Sequence, residues 1–226
     1  MALMQWLDPR IPHQVAGTAS LAGLPLTEVP AQKPGDDRLV VMLSGDGGWA
    51  ALDRGVSGIF AAQGIGTVGL DSLSYFWKKR TPEEAAAAVA AIIQWYTEHW
   101  HKRRVILFGY SFGADVLPFI VNRLPPPVLA RIDRVVFAGL GPMATFEFHL
   151  TTWLGGTSGD DLPVAAEVRR LPAVRGICIY GSEEGTASAC PGLKTTKITA
   201  RELPGDHHFN DDYALIAQTA LGSFHP

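Results

Sequence analysis

Only two cysteines, Cys178 and Cys190, occur in 226 residues, which fits either two inert thiols in a cytoplasmic protein or one disulfide in an oxidising compartment. The count alone favours neither. Charge is sparse as well, at 18% of residues with a formal net charge of -3, so the chain has no global positive field to gather nucleic acid. The local run Lys78-Lys79-Arg80 is short enough to be a solvated turn, and nucleic-acid binding is set aside. No stretch approaches the roughly 18 apolar residues that a bilayer-spanning helix needs, which excludes a membrane span. The segment Met1-Ala2-Leu3-Met4-Gln5-Trp6 lacks a basic region followed by an apolar run, so no secretory signal is read there, as would hold for a trimmed mature chain. What remains is an ordinary globular composition, 47% hydrophobic, in a 24.3 kDa chain that suits one medium-sized domain.

The apolar runs are short and continuous. Arg38 to Leu43, Ile65 to Leu70, Arg104 to Phe108, Arg134 to Ala138, Gly176 to Tyr180 and Lys197 to Leu203 read as strands buried on both faces of a parallel sheet. Helices are expected between them: Asp53 to Gln63 before Gly64, a long one opening at Thr81-Pro82-Glu83-Glu84, one over Ala114 to Asn122 that Pro118 would kink, and one near Asp212 to Leu221. Val89, Ile92, Ile93 and Tyr96 fall on one face of the long helix, so it can pack on a sheet. The alternation predicts an α/β fold, mostly parallel, with helices on both faces. Leu21 to Val29 reads as a weak edge strand within an N-terminal arm over residues 1–36, and the domain proper spans 37–226. A Gly-, Thr- and aromatic-rich stretch at about 140–168 is where a small cap would be inserted, or simply a long connection with one short helix.

Chemistry is concentrated in Gly109-Tyr110-Ser111-Phe112-Gly113, a G-x-S-x-G pentapeptide preceded by a buried strand and followed by a helix. That context is a nucleophile elbow, in which small flanking residues permit a sharp turn that pushes the serine hydroxyl into the open. A serine hydroxyl needs a base, and Leu203-Pro204-Gly205-Asp206-His207-His208-Phe209 supplies His207, with His208 as the alternative. The acid that fixes the histidine tautomer is expected after the strand Gly176 to Tyr180, where Glu184 is preferred over Glu183. Serine, acid and histidine then occur in the chain order of the α/β-hydrolase fold, which becomes the expected fold. Oxyanion donors are expected from the backbone N–H groups of Phe112 and Asp46, the latter in the loop Gly45-Asp46-Gly47-Gly48. This loop lacks the lysine and hydroxyl of a P-loop and the spacing of a dinucleotide site, and no metal or cofactor is expected.

Read together, Leu43-Ser44-Gly45-Asp46-Gly47-Gly48-Trp49, Asp71-Ser72-Leu73-Ser74-Tyr75-Phe76-Trp77 and Gly109 through Phe119 resemble the bacterial VirJ/AcvB virulence-protein family. The resemblance continues through Asn122-Arg123-Leu124-Pro125, Phe146-Glu147, Trp153-Leu154-Gly155 and His207-His208-Phe209, covering nearly everything after about residue 37. It implies a periplasmic protein. AcvB-like members hydrolyse aminoacylated phosphatidylglycerol, releasing lysine from the lipid headgroup, and VirJ-like members are linked to type IV secretion. It also implies a Cys178–Cys190 disulfide closing a short loop around Glu184, a contribution of roughly 3 kcal/mol. The chain departs from the family pattern at Gly185-Thr186-Ala187 and at Asp206, where glycine would be expected.

The implied activity is ester hydrolysis on a lipid ester such as lysyl-phosphatidylglycerol, with peripheral contact to a membrane surface. Alternatives are a binding or chaperone-like module for type IV secretion substrates, and a general esterase or thioesterase. A lysyl ester would need carboxylates for its ammonium: Asp46, Asp71, Asp115, Glu183 and Asp206 lie nearest the chemistry in sequence, and Asp46 and Asp206 are the substrate-binding candidates. Asp71 and Asp115 have loop-holding roles as the competing reading.

Overall fold

The computed structural model of the chain describes residues 21–148, 161–193 and 198–222. In chain order its elements are β1 (Leu26–Val29), β2 (Arg38–Leu43), α1 (Ala51–Ala62), β3 (Gly66–Leu70), α2 (Ser72–Tyr75), α3 (Pro82–His99), β4 (Arg104–Tyr110) and α4 (Phe112–Val121). There follow α5 (Pro126–Leu129), β5 (Ile132–Ala138), β6 (Met143–Ala144), β7 (Leu162–Pro163), α6 (Val164–Arg169), β8 (Gly176–Gly181), β9 (Ile198–Leu203) and α7 (Tyr213–Leu221).

Seven strands form one sheet in the order β1-β3-β2-β4-β5-β8-β9. All neighbours are parallel except β1, which pairs antiparallel with β3 at the edge. The reason the central strands read as unbroken apolar runs is visible along β2. Leu39, Val41 and Leu43 pack on one face with Val89, Ile92, Ile93 and Tyr96 of α3, whereas Val40 and Met42 pack on the other with Phe60 of α1 and Ile216 of α7. With helices on both sides, neither face can be polar. The architecture is that of the α/β-hydrolase fold.

Local signals set most of the boundaries. Thr81 Oγ1 accepts from the Glu84 N–H while Glu84 returns a bond to the Thr81 N–H, closing a capping box at the start of α3. Asp212 caps α7 through the Leu215 N–H. Elsewhere the structure departs from the sequence reading. The arm expected as a strand from Leu21 pairs only over Leu26–Val29, because residues 21–24 close a turn in which the Leu24 N–H donates to Leu21 O. Helix α1 begins two residues before Asp53, whose carboxylate reaches back to the Ala50 N–H from inside the first turn. The helix expected around Pro118 is present as α4, but it starts two residues earlier than Ala114, at Phe112, and ends at Val121. The stretch at 140–168 contributes an antiparallel ribbon, β6 with β7, and α6, tied to α4 by Asn122 Nδ2 donating to Glu167. Residues 149–160, including Trp153-Leu154-Gly155, and most of the expected arm lie outside the described residues.

Candidate active site

The chain leaves β4 and enters α4 through a single residue, Ser111, held at φ 51° and ψ -119°. Such a backbone costs a non-glycine residue on the order of 1–3 kcal/mol and must be over-determined by its surroundings. Here the Ser111 N–H donates to Ala138 O of β5 and Ser111 O accepts from the Asp115 N–H. The two glycines of the pentapeptide are sterically required. A Cβ on Gly109 would meet Gly113 O at 2.5 Å, and one on Gly113 would meet Leu43 O of β2 at 2.3 Å. The strand, the turn and the helix start are in backbone contact, which leaves the serine side chain pointing out over the carboxyl ends of the strands.

His207 Nε2 stands 2.9 Å from Ser111 Oγ, and His207 Nδ1 stands 2.6 Å from Glu184 Oε1. The carboxylate can only accept, so Nδ1 carries the proton and Nε2 is left as the acceptor for the serine O–H. Glu184 is itself held: its other oxygen accepts from the Gly181 N–H at 2.6 Å, and only 4% of its side chain is exposed. The alternatives do not join this relay. His208 Nδ1 lies 3.1 Å from Tyr110 Oη on the far side, and Glu183 is exposed beyond the turn.

Two cavities meet at Ser111. The larger, about 480 Å³, is walled by Asp46, Asp53, Tyr110, Ser111, His207 and His208 among others. The smaller, about 190 Å³, is walled by Asp46, Ser111, Phe112, Asp115, Glu147 and Phe148 together with Thr145. Asp46 therefore borders both. Its loop lies tight against the elbow, since a Cβ on Gly45 would come within 3.5 Å of Ser111 Cβ. Phe112 is the first residue of α4, and the N–H groups of a first helical turn have no intrahelical acceptor. Among the described residues, no group of three or more His, Cys, Asp or Glu is arranged to hold a metal ion.

The remaining acidic candidates separate by their partners. Asp71 caps α2 through the Ser74 N–H, and Asp115 accepts from the Gly141 N–H at 2.7 Å while also bordering the smaller cavity. Burial pushes the Asp115 carboxyl well above the ordinary carboxylate range, and the Gly141 bond opposes it. Asp206 borders neither cavity. It is exposed, and its Oδ1 accepts from the His208 N–H, a loop-holding contact rather than a substrate-facing one. Cys178 and Cys190 are joined in a disulfide that anchors the loop carrying Glu184 back to β8.

A family model described as "Bacterial virulence protein (VirJ)" matches residues 37–226. The chain belongs to the VirJ family. No curated protein matches this VirJ-family chain in sequence. Solved structures resemble it in fold. Est1E from Butyrivibrio proteoclasticus, with ferulic acid bound, superposes with a TM-score of 0.61 at 11% identity, covering 90% of this chain and 95% of that one. The thioesterase domain from the curacin biosynthetic pathway gives a TM-score of 0.58 at 15% identity, covering 87% and 94%. An alpha-beta serine hydrolase homologue from Coxiella burnetii gives 0.61 at 10% identity, covering 88% and 91%.

Two residues of the VirJ-family site escaped the sequence reading. Gly139, at φ 65° just past β5, leaves room for the histidine: a Cβ there would lie 2.5 Å from His207 Cε1. Tyr110 packs its ring beside His207, with centroids 5.5 Å apart, and its Oη donates to His207 O at 3.3 Å. A glycine after a buried strand was the only available signal for the first. Tyr110 lay in plain view inside the pentapeptide, but its contact with a residue 97 positions away has no sequence signature.

Proposed function

We propose that this VirJ-family protein is a serine hydrolase that cleaves a carboxylic ester through an acyl-enzyme formed on Ser111. The observation that carries the reading is the unbroken relay Glu184–His207–Ser111, ending at a strained elbow between two cavities. Ser111 Oγ attacks the ester carbonyl as His207 Nε2 takes its proton, and the ionised Glu184 stabilises the imidazolium that forms. The Phe112 and Asp46 N–H groups are the proposed donors to the tetrahedral oxyanion. Collapse breaks the ester C–O bond, and His207 returns the proton to the departing alcohol. Water, deprotonated by the same imidazole, then attacks the acyl-serine, releases the acid and restores the Ser111 hydroxyl.

The finer reading is an aminoacyl ester of phosphatidylglycerol, cleaved in the periplasm in a setting linked to virulence. Family membership supports it, and so does the disulfide, a bond that persists in oxidising compartments. Asp46, bordering both cavities, is the proposed contact for a substrate ammonium. A fluorophosphonate probe is expected to label Ser111 alone. Ser111→Ala should abolish labelling and lower ester turnover by at least about 1000-fold, and Glu184→Gln should lower it by roughly 10,000-fold. Glu183→Gln should leave turnover near wild type. Labelling at another residue, or turnover retained by Ser111→Ala, would overturn the assignment. Lysyl-phosphatidylglycerol and simple p-nitrophenyl esters, assayed side by side, separate the aminoacyl-lipid reading from a general esterase.

A further inference from the structure

The large hydrophobic side chains most exposed among the described residues are Trp77 at 58%, Met143 at 42% and Leu162 at 37%. All three belong to one edge of the molecule. Trp77 follows α2, while Met143 and Leu162 are on the β6–β7 ribbon. Backbone bonds sew the two segments together: the Phe148 N–H donates to Phe76 O, and the Arg80 N–H donates to Phe146 O. The Trp77 indole stacks on Phe148, with centroids 5.8 Å apart and planes 18° apart. Between the segments runs an open groove of about 250 Å³, walled by Lys79, Arg80, Pro82, Phe146, Glu147 and Leu162 among others.

Lysines accompany the indole. Lys78 and Lys79 are both exposed, whereas Arg80 is turned inward, its Nε donating to Tyr75 O and its guanidinium lying 4.9 Å over the Tyr75 ring. The acids at the start of α3 are already engaged: Glu83 pairs with Arg123 at 2.6 Å, and Glu84 closes the Thr81 box. The edge presents an aromatic with two exposed lysines, with Glu147 on the wall of the same groove, on a chain whose net charge is -3, so attraction to an anionic surface has to come from local charge rather than from the molecule as a whole. It is also adjacent to the chemistry. Phe148, stacked under Trp77, walls the small cavity that contains Ser111.

We propose that this edge, Trp77 with Lys78, Lys79 and the β6–β7 ribbon, docks on the surface of an anionic lipid bilayer and presents the small cavity beside Ser111 to lipid esters. The delivery half of this inference rests on the hydrolase reading above; the docking half does not. An indole is at home at the headgroup level, where its ring is buried and its N–H stays wet, and lysines beside it gain from anionic headgroups. One aromatic, a short apolar ribbon and two cations give reversible, salt-sensitive attachment of the peripheral kind. No helix among the described residues is long and apolar enough to cross a membrane.

Co-sedimentation of the full chain with phosphatidylcholine vesicles, with and without phosphatidylglycerol, tests the surface. Binding is expected to be stronger with phosphatidylglycerol and to fall as salt rises. Lys78→Gln with Lys79→Gln should weaken it by about fivefold per lysine, and Trp77→Ala by roughly tenfold. Turnover of a soluble short-chain p-nitrophenyl ester should stay unchanged in these variants, which also shows that they fold. Equal binding to both vesicle types, or variants that bind like wild type, overturns the docking surface. Substitutions that leave vesicle binding alone and instead abolish self-association or capture of a protein partner overturn it too. Ser111→Ala should bind vesicles as wild type does. Vesicle binding that depends on Trp77 and the lysines, in a wild-type protein that cleaves neither soluble nor lipid ester, would sink the hydrolase reading and leave the docking surface standing.

Discussion

Asp53 is wholly buried in the first turn of α1, with one carboxylate oxygen on the Ala50 N–H at 2.9 Å and the other without a hydrogen-bond partner. Burial, reinforced by the nearby Asp71 charge, raises its pKa to about 7 from an ordinary 3.8. A carboxyl whose folded pKa is raised stabilises the fold while it stays protonated. Between about pH 4 and 7 the native state holds a proton that the unfolded chain has released, so stability should decline across that window and level off above it. Asp53→Asn keeps an acceptor for the Ala50 N–H and removes the charge, at the cost of an amide N–H₂ with no partner. We expect it to stabilise the protein at pH 8 by about 1–2 kcal/mol in urea unfolding, and to give no gain at pH 4. A wild-type curve flat between pH 4 and 8 would contradict this. In the sequence Asp53 read as the start of a helix, because acidic residues favour first turns wherever they occur. That it would face inward was not legible, since burial depends on Tyr110 and the Gly45 loop arriving from elsewhere. Ser111, His207 and Glu184 could be singled out more readily: each chain position follows from a strand end, and the fold brings strand ends together.

The elements that hold the relay are loops, and they converge on the turn after β5. The Gly139 N–H donates to Ile179 O, Leu140 O accepts from the Ala189 N–H, and the Gly141 N–H donates to Asp115 of α4. Strand β8, the far end of the acid loop and the helix behind the serine are thus bonded to three consecutive residues, the first of which also leaves the space that the His207 ring fills. None of this could be read from the sequence, where Gly139 only followed a buried strand and 140–141 only began a weakly patterned stretch. The disulfide adds a covalent tie between β8 and the turn at Cys190, at the far end of the loop that carries Glu184. Its separation of 12 residues corresponds to about 3 kcal/mol of constraint on the unfolded chain. Cys178→Ala with Cys190→Ala is therefore expected to lower stability by about 3 kcal/mol in urea unfolding. Because the released loop positions Glu184, kcat on a soluble ester should fall several-fold with KM little changed. A stability loss with unchanged kcat would make the bridge a staple alone.

At the scale of the whole molecule, β2, β3, β4, β5 and β8 were legible as apolar runs because helices cover both sheet faces along their buried lengths, whereas β9, at the sheet edge, exposes Thr199 to Glu202 between buried Ile198 and Leu203. The four-residue helices α2 and α5 were not legible, being too short to show a helical period. The two-sided design has a thermodynamic consequence. Side chains of β2 alternate between the core under α1 and α7 and the core under α3 and α4, so neither core can loosen without the strands that build the other. Unfolding should then be one transition. Phe60→Ala empties space on the α1 side and Ile92→Ala on the α3 side, both from fully buried positions, with expected costs of roughly 3–5 and 2–5 kcal/mol. Far-ultraviolet circular dichroism reports the helices of both faces. Tryptophan fluorescence weights the α3 side, where Trp95 and Trp100 pack, more than the α1 side, where Trp49 packs. Each variant is expected to move both signals to the same lower urea midpoint with the slope unchanged. A Phe60→Ala protein whose circular dichroism fell in two steps while its fluorescence midpoint stayed at the wild-type value would mean that the faces unfold separately. The sheet would then be a shared wall rather than a shared core.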